Sequence, residues 1–577
     1  MFLLLAWYIA TPAFTDLQYT LSGSEERHEQ KDGMFFSFES TDPLMTVTFR
    51  LHQGKWLQPS RFVLRADDCL SELVINTIAV PEEVFGPCVI DTPKEIHLGT
   101  FLHAGINEIT AIVPDTGGRQ GFDMHPSSQD ALLLSLRIAV FVVFLLLSLF
   151  LIWRRCSVRE TKYVALLFLL GILLRLIYFD ATPFTVRSND ADGHMDYIHS
   201  VSEHWKLPLI SEGWEFYQPP LYYFASAPLY RIAKAAFLSY ASIARLIQFS
   251  ALLLSLVVLG LCVRISSLLF ERHQRSERYL WLGFFSVFSG MVFLSPSLNN
   301  DALASVLIFA AVFLCLTFWH SGHARSWYAL MLLISMGILT KMNMVLLLPV
   351  ALLTLLLHPI VTRRSKAIFL VTGLLIVLSL TEWIFVFRMV QDANVGIIGN
   401  FGNLNSDLSI SNHLVDYLTF NPFGILHHPY ANPWQDSDRR MYFLEFLFRS
   451  AFFGEFDFGG SLRVFSQLLL ALGSLVIALS VLGGTLAMRS HWRRALPLWI
   501  LFAVLLLGHA YFRYIYPYSS SEHFRYSLAL LLPLWYFALL TVSRFGSGAR
   551  TILLSLLWLF IISNTAFVIT VSILRPL

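Results

Sequence analysis

The chain has 577 residues, of which 56% are hydrophobic and only 14% are charged, and its mean hydropathy is +0.61. Soluble proteins carry roughly 25% charged residues, so this composition excludes an ordinary soluble globular protein and predicts many transmembrane helices. The formal net charge of +2 gives no indication of a nucleic-acid partner.

The N-terminal segment 1–14 is apolar, lacks a preceding basic region and is short for a spanning helix. It is interpreted as a signal anchor or a first helix. Residues 15–130 have the composition of a soluble β domain, in which strand-like stretches are separated by turn residues. The fragments Ala66–Asn76 and Leu102–Thr110 resemble those of galactose-binding-like β-sandwich domains, and the resemblance supports the fold more than sugar binding.

Cysteine residues are few, and two of the five, Cys69 and Cys88, lie in this polar stretch. If the domain is extracytoplasmic, a disulfide between them is favoured, and two free thiols are the alternative. The other three lie in or beside apolar runs and are interpreted as packing residues.

Apolar segments of transmembrane length fill the rest of the chain, and about 11–13 spanning helices are predicted. The first, 131–153, tethers the β domain, and 163–577 forms the main membrane domain. The predicted segments are 131–153, 163–180, 244–268, 279–295, 302–320, 327–340, 344–358, 367–388, 462–487, 495–514, 526–543 and 551–573.

Alternate connections are rich in arginine and lysine, and the positive-inside rule places them in the cytoplasm. The β domain and the connections 181–243 and 389–461 then face outward. The pair 327–340 and 344–358 must enter and leave on the cytoplasmic side, so two short helices meeting at Lys341 are predicted. Because the chain has no Asn-x-Ser/Thr glycosylation site, a prokaryotic plasma membrane is favoured.

The first outward connection carries an acidic cluster, Asp190, Asp192 and Asp196, together with His194. A solvated loop is the alternative interpretation of such a cluster. An aromatic stretch follows, and Pro219–Pro220 precedes a predicted interfacial helix at 221–237.

Two further charged residues lie at predicted helix ends. Asp301 begins a helix after a very short outward connection, where an N-cap is the alternative role. Lys341 lies between two apolar segments and is costly there unless it is paired or faces water. Snorkelling is the alternative for this lysine, and a lipid phosphate would be a natural partner.

The later outward connections combine aromatic and charged residues, as sugar-binding sites do. Trp434, Arg439 and Glu455 lie in the long connection, where an aromatic belt at the membrane interface is the alternative. His523 and Arg525 precede the next helix, and arginine can bind phosphate through two hydrogen bonds.

In this order, the motifs resemble the GT-C class of membrane glycosyltransferases, and most of all the protein O-mannosyltransferase and lipid A aminoarabinose transferase family, over roughly residues 163–543. The family pattern in the first loop is Asp-Glu followed by His or an aromatic residue. Asp190 and His194 match it, whereas Ala191 stands where the family often has Glu, and Asp192 is a candidate for that second acid. Asp301 matches the acid of the second loop.

The resemblance implies an inverting glycosyltransferase that moves a sugar from a polyprenyl-phosphate carrier to an envelope acceptor on the extracytoplasmic face of the plasma membrane. Asp190 is the predicted general base, with Asp192 and Asp301 orienting it or the acceptor. The residues predicted to neutralise the donor phosphate are Lys341, Arg525 and His523. The predicted substrate-binding residues are His194, Tyr217, Gln218, Tyr222, Trp434, Arg439 and Glu455.

No cofactor is assigned from the sequence. A divalent metal held by Asp190, Asp192 and His194 is an alternative, which the nearby cations make unnecessary.

Two other functions compete with this hypothesis. A transporter or flippase of lipid-linked sugars predicts functional charges in mid-membrane, whereas these charges lie at helix ends. A non-catalytic sugar-binding sensor that uses the β domain leaves the acids at the membrane face and Lys341 unexplained.

Overall fold

A computed structural model describes residues 13–574 except for 23–27, 30–35, 41–42, 54–58, 67–69, 87–93, 115–117, 128–130, 157, 185, 188–189, 237–239, 392–405, 435–438 and 491. Cys69, Cys88 and residues 1–12 lie outside the described residues, so the disulfide and the N-terminal anchor stay predictions. The chain divides into two compact units, one containing Met1–Ser157, Arg231–Leu246 and Arg575–Leu577, the other Val158–Tyr230 and Ile247–Leu574.

The first unit contains ten described strands in two antiparallel sheets. The strands are β1 Ala13–Leu21, β2 His28–Glu29, β3 Phe36–Ser40, β4 Leu44–Gln53, β5 Arg61–Ala66, β6 Glu72–Ile75, β7 Ile78–Ala79, β8 Lys94–His97, β9 Gly105–Pro114 and β10 Gly118–Pro126. One sheet has the order β2-β1-β4-β9-β6-β7, and the other has the order β3-β10-β5-β8.

The two sheets share one hydrophobic core, which strand β4 illustrates. Its odd-numbered residues from Met45 to Leu51 are buried, while Arg50 is exposed, because successive side chains of a strand point to opposite faces. Across the core, the ring of Phe49 lies 5.9 Å from that of Phe122 in the other sheet. The predicted β-sandwich is confirmed by this packing.

Two asparagines in the fragments that resemble galactose-binding-like domains, Asn76 and Asn107, stabilise the β-sandwich. Asn76 adopts a left-handed conformation (φ +51°) in the turn after β6, and its Nδ2 donates to Oδ1 of the buried Asn107 at 2.8 Å. The same Oδ1 accepts from the backbone N–H of His103. The two amides therefore lock adjacent turns together.

Helices make up most of the chain after residue 130. The helices are α1 Glu82–Phe85 in the β domain, then α2 Ala131–Arg155, α3 Arg159–Ala181, α4 Ala191–His204, α5 Leu221–Ala235, α6 Tyr240–Leu269, α7 Arg275–Val287, α8 Ser289–Phe293, α9 Asp301–Ser321, α10 Ala324–Ile338, α11 Leu347–Leu357, α12 Arg363–Gln391, α13 Leu414–Leu418, α14 Pro422–His427, α15 Phe443–Phe453, α16 Arg463–Ser490, α17 Trp492–Ile515, α18 Leu531–Val542 and α19 Ser547–Leu574.

The chain is a multi-pass helical membrane protein, as predicted. In the part that the structure describes, eight helices are long and apolar enough to cross a membrane, and two shorter apolar helices, Ala324–Ile338 and Met342–Leu357, lie among them. Every apolar segment predicted from the sequence is helical over most of its length. The predicted short pair is present, and Lys341 lies at the junction between its two helices.

The structure differs from the sequence prediction at two places. The predicted single span 279–295 is divided at Phe288 into α7 and α8. Arg175 from α3 stabilises this break, because its guanidinium donates to the backbone carbonyls of Phe285 and Ser286 near the end of α7. The acidic cluster, predicted to lie in a loop, is carried instead by the N-terminus of helix α4.

Gly290 sets the packing of the broken helix. A Cβ atom at position 290 would lie 1.9 Å from the carbonyl oxygen of Ala451 in α15, so only glycine allows this approach. A Cβ atom at Gly260, within α6, would have no heavy atom within 4 Å.

We expect Gly290→Ala to destabilise the purified protein by about 1–3 kcal/mol, the usual cost of overpacking. Gly260→Ala is the matched control, and it should be neutral or stabilising by up to about 1 kcal/mol because alanine favours helix. Thermal unfolding in detergent measures both. Equal Tm values for the two variants would contradict the packing described for Gly290.

Candidate functional site

An ion pair between Asp301 and Lys341 joins two helix ends. Asp301 is the first residue of α9, and Lys341 lies just after α10; their side chains pair through Oδ1 and Nζ. The residues are 5% and 8% exposed. Asn300 takes the N-cap position, and Lys341 turns inward to the carboxylate, so neither the N-cap role nor snorkelling describes these side chains.

Arg525 is the second cation beside Asp301. Its Nε lies 3.9 Å from Asp301 Oδ2, and its guanidinium lies over the ring of Tyr526 at 5.2 Å. Lys341 Nζ lies 5.0 Å from the same ring. Two cations thus surround one carboxylate, and the three side chains carry a net charge of +1.

Unsatisfied polar atoms surround this group of charges. Asp301 Oδ2, Arg525 Nε and His523 Nε2 are buried and have no hydrogen-bond partner among the described residues. Buried polar atoms in native proteins are nearly always hydrogen-bonded, so such a set calls for an explanation, and a bound ligand is one.

His523 contributes a hydrogen-bond donor. Its Nδ1 accepts from the backbone N–H of Arg525 at 2.9 Å, so in the neutral ring the proton resides on Nε2. His523 and Arg525 line a recess whose other walls are mostly apolar and include Gly290, Gly454 and Phe456. The recess therefore joins an apolar surface to polar donors.

The acidic cluster lies at the start of α4. Asp190 is exposed, adopts a left-handed conformation (φ +56°) and directly precedes the helix, and Asp192 is also exposed. Desolvation by the surrounding protein raises the pKa of Asp190, while the charges of Arg525 and Lys341 oppose that rise. Asp190 therefore lies within the electrostatic field of the two cations.

Glu215 is the carboxylate at the centre of the hydrogen-bond network. Its Oε2 accepts from Gln218 Nε2 at 3.0 Å and lies 4.0 Å from His194 Nε2. A Cβ atom at Gly193 would lie 2.9 Å from Cγ of Glu215, so the absence of a side chain there makes room for this acid.

Asn300 connects the network to the ion pair. Its Nδ2 donates to Gln218 Oε1 at 3.0 Å and to the carbonyl oxygen of Thr340 at 3.1 Å. Because Thr340 precedes Lys341 and Asn300 precedes Asp301, one amide fixes three chain segments relative to one another.

His194 is held within the same cluster. Its Nδ1 lies 2.7 Å from the hydroxyl of Tyr223, whose ring stacks on Tyr197 at 3.7 Å. Burial lowers the pKa of His194 to about 3, so the ring is neutral at physiological pH. Both ring nitrogens already face protein groups, which does not suit a metal ligand, and no group of three potential ligands for a metal occurs among the described residues.

Two acids, the buried Glu215 and the half-buried Glu455, lie beside Asp190. Burial raises the pKa of Glu215 to about 7 and that of Glu455 to about 7, and the charge of Asp190 adds to both shifts. Near neutral pH each is therefore partly protonated and offers an O–H donor.

The other predicted substrate-binding residues divide into two groups. The hydroxyl of Tyr217 accepts from Gln218, and the ring of the buried Tyr222 lies 5.4 Å from that of Tyr223, so both belong to the cluster. Trp434 is 55% exposed, and Arg439 pairs at 2.6 Å with the buried Glu445. The structure shows neither of these two in contact with the cluster.

The sequence patterns do not indicate four residues of the cluster, which are Glu215, Tyr223, Asn300 and Tyr526. An acid inside the aromatic stretch Gly213–Tyr223 is a signal that could have identified Glu215, because aromatic neighbours favour burial and a buried acid is the informative exception among charged residues. The other three carry no such signal, since their roles depend on partners distant in sequence.

Comparison with known proteins gives one family match. Residues 219–385 match the family described as dolichyl-phosphate-mannose-protein mannosyltransferase. This segment contains Asp301 and Lys341 but not Asp190 or Arg525. No curated protein sequence matches the chain.

Several solved structures are similar to the chain at low identity. The oligosaccharyltransferase of Archaeoglobus fulgidus, in a complex with Zn and sulfate, is 12% identical with a TM-score of 0.43, covering 71% of this chain and 53% of that one. The oligosaccharyltransferase AglB of the same organism, in complex with an inhibitory peptide and a dolichol-phosphate, is 14% identical with a TM-score of 0.40. The similarity covers 72% of this chain and 56% of that one. Arabinosyltransferase EmbB from Mycobacterium smegmatis is 12% identical with a TM-score of 0.36, covering 100% and 63%.

The chain therefore spans between about half and two thirds of the length of these structures. The family match falls within the region where the sequence motifs predicted a resemblance. With this match the predicted resemblance to the protein mannosyltransferase family is confirmed over residues 219–385.

Proposed function

We propose that the protein is an inverting glycosyltransferase that takes a sugar from a polyprenyl-phosphate carrier and transfers it to an envelope acceptor on the extracytoplasmic face of the plasma membrane. The observation that carries the proposal is the pair of cations, Lys341 and Arg525, held around buried Asp301 beside the exposed carboxylate of Asp190. The family match over residues 219–385 supports it.

The cations suit the phosphate of the donor. In the displacement the bond between the anomeric carbon and the phosphate oxygen breaks, and negative charge grows on the leaving phosphate. Lys341 and Arg525 would stabilise that charge, and Nε2–H of His523 supplies a further donor. Such preorganised groups are most effective where water is excluded, and these side chains are largely buried.

Asp190 suits the role of general base. The acceptor hydroxyl would attack the anomeric carbon from the face opposite the phosphate and pass its proton to the Asp190 carboxylate. Asp190 is exposed and has a raised pKa, both of which favour proton uptake. Asp301 is less suited, because its carboxylate is engaged by Lys341; its role would be to hold the cations in place.

Glu215 and Glu455 suit the binding of sugar hydroxyls. When protonated, each offers both a donor and an acceptor, and Oε1 of Glu455 is buried with no partner among the described residues. The identity of the sugar depends on such contacts.

The placement of the charges disfavours a flippase. The charged groups of the site lie where helices begin, end or break, at Asp190, Asp301, Lys341 and Arg525. Arg175 is buried within a span, but backbone carbonyls of α3 and α7 accept its hydrogen bonds, which is a structural role.

Asp190→Asn should lower sugar transfer by at least about 100-fold, the usual contribution of a general base, without lowering the Tm. The assay supplies the detergent-purified protein with a panel of radiolabelled polyprenyl-phosphate monosaccharides and an envelope extract of the source organism. Glu203→Gln, in an exposed acid toward the other end of α4, is the control. Undiminished transfer by Asp190→Asn would move the base to Asp192 or Asp301, and no transfer by the wild type from any donor would favour the flippase.

Lys341→Met should raise the KM for the donor by about 10-fold or more, because a hydrogen bond to a charged group contributes roughly 1.5–3 kcal/mol. Lys366→Met is a matched control, since Lys366 Nζ donates to the Leu356 carbonyl at the far end of α11. Initial rates at varied donor concentration measure both variants. An unchanged KM in Lys341→Met would refute the phosphate-binding role.

The stability of the protein should fall as pH rises from about pH 5 to about pH 8. The pKa of Glu215 is raised to about 7 from 4.5, so its contribution to folding is complete below the lower value and is lost as pH rises through the higher one. Glu215→Gln should therefore lose less Tm than the wild type over this range. Parallel Tm curves for the two proteins would contradict the raised pKa.

A further inference from the structure

Two buried residues of α17 form hydrogen bonds with the segment 521–527, which carries His523 and Arg525. His509 and Arg513 lie four residues apart, on one face of the helix. Neither belongs to the site described above, yet both contact the chain between Ser521 and Ser527.

Arg513 binds the start of this segment through an ion pair. Its Nε donates to Glu522 Oε1 at 2.9 Å, and both side chains are 0% exposed. Because Glu522 directly precedes His523, this ion pair fixes the backbone from which the donor-binding side chains project.

His509 forms hydrogen bonds with the segment at two residues. Its Nε2 lies 2.9 Å from the carbonyl oxygen of Ser521, which can only accept, so Nε2 carries the proton. In the neutral ring Nδ1 then accepts from the hydroxyl of Ser527 at 2.7 Å. The two bonds bracket the residues from His523 to Tyr526.

The remaining donors of Arg513 bind the long connection. Nη1 donates to Asn412 Oδ1 at 2.7 Å and to the Tyr417 hydroxyl at 2.8 Å. Nη2 donates to the carbonyl oxygens of Ser411 at 2.7 Å and Met441 at 3.0 Å. All five N–H groups of the guanidinium are therefore used.

Other helices hold the opposite side of the segment. The backbone N–H of Phe524 donates to Ser450 Oγ at 3.0 Å, and Nδ2 of Asn343 donates to the carbonyl oxygen of Tyr526 at 2.9 Å. Fixed on both sides, the backbone at Arg525 has little freedom, and its guanidinium is directed to Asp301.

We propose that Arg513 and His509 are positioning residues for the donor-phosphate subsite, acting through Arg525 and His523. A buried ion pair alone is weak support for stability, since apolar replacements are often as stable. The observation that carries the proposal is where the side-chain hydrogen bonds of His509 and Arg513 lead. All of those described above end on the segment 521–527 or on the connection 389–461. The inference rests on the proposed phosphate-binding role of Arg525.

The test is a double-mutant cycle between Arg513 and Arg525. Arg513→Lys keeps a positive charge for Glu522, but an ammonium group lacks the planar fork that reaches the other four acceptors. Binding of decaprenyl phosphate to the detergent-purified full chain is followed by tryptophan fluorescence, with the Tm measured in parallel. We expect Arg513→Lys and Arg525→Gln each to raise the Kd by about 10-fold or more, which corresponds to about 1.4 kcal/mol.

If Arg513 acts through Arg525, the double variant binds no more weakly than Arg525→Gln alone. If Arg513 had a purely structural role, the losses of binding free energy in the two single variants would instead add up in the double variant. Each loss would then parallel the fall in Tm. Tyr511→Ala, on the exposed side of the same helix, is the control and should leave the Kd unchanged.

Two results would overturn the inference, and they differ. Additive losses, or an unchanged Kd in Arg513→Lys, would refute the positioning role and leave the phosphate subsite intact. A wild-type Kd in Arg525→Gln would refute the subsite itself and with it this part of the proposed function. Should Arg513→Lys fail to fold, His509→Gln serves in the same cycle, since glutamine keeps one donor and one acceptor.

Discussion

The arrangement of the site depends on burying Lys341 and Asp301 together. Either charge alone would be costly in this apolar interior, and removing one partner of a buried pair typically costs about 3–5 kcal/mol. The pair can form only if the start of α9 meets the end of α10, which places Asn300 beside Thr340. That contact in turn orients Gln218 and, through it, Glu215.

Breaks in the helices supply the positions that such a site requires. The chain leaves regular helix at Phe288, at Lys341 and around Phe524–Leu530. Irregular backbone within an apolar bundle must find hydrogen bonds inside the protein, and here polar side chains provide them: Arg175, Asn300, Asn343 and Ser450 all bond to backbone groups at or next to a break. The polar residues of the bundle thus serve its geometry as much as its chemistry.

Much of this was accessible from the sequence, and the reason differs between fold and site. Apolar length predicted the membrane helices, and strand-like stretches separated by turn residues predicted the β domain, because burial of apolar surface is a local property of each segment. The site residues Asp301, Lys341 and Arg525 were identified instead as charges at the ends of predicted helices. No local sequence pattern shows which residues will be hydrogen-bond partners. Examples are the bond from Asn300 to Gln218 and the bonds from Arg513 to the carbonyl oxygens of Ser411 and Met441. Trp434 and Arg439 were selected for composition alone; in the structure Trp434 is largely exposed and Arg439 pairs with Glu445.

The saturated guanidinium of Arg513 has a consequence for how the protein responds to ionic strength. Its five donors are all used by protein acceptors, and neither it nor Glu522 is exposed to water. Mobile ions screen exposed charges far more than buried ones, so added salt has little effect on the bonds that shape the subsite. Any salt dependence of donor binding would then arise at Lys341 and Arg525, where the charges meet the ligand, while the framework behind them keeps its shape.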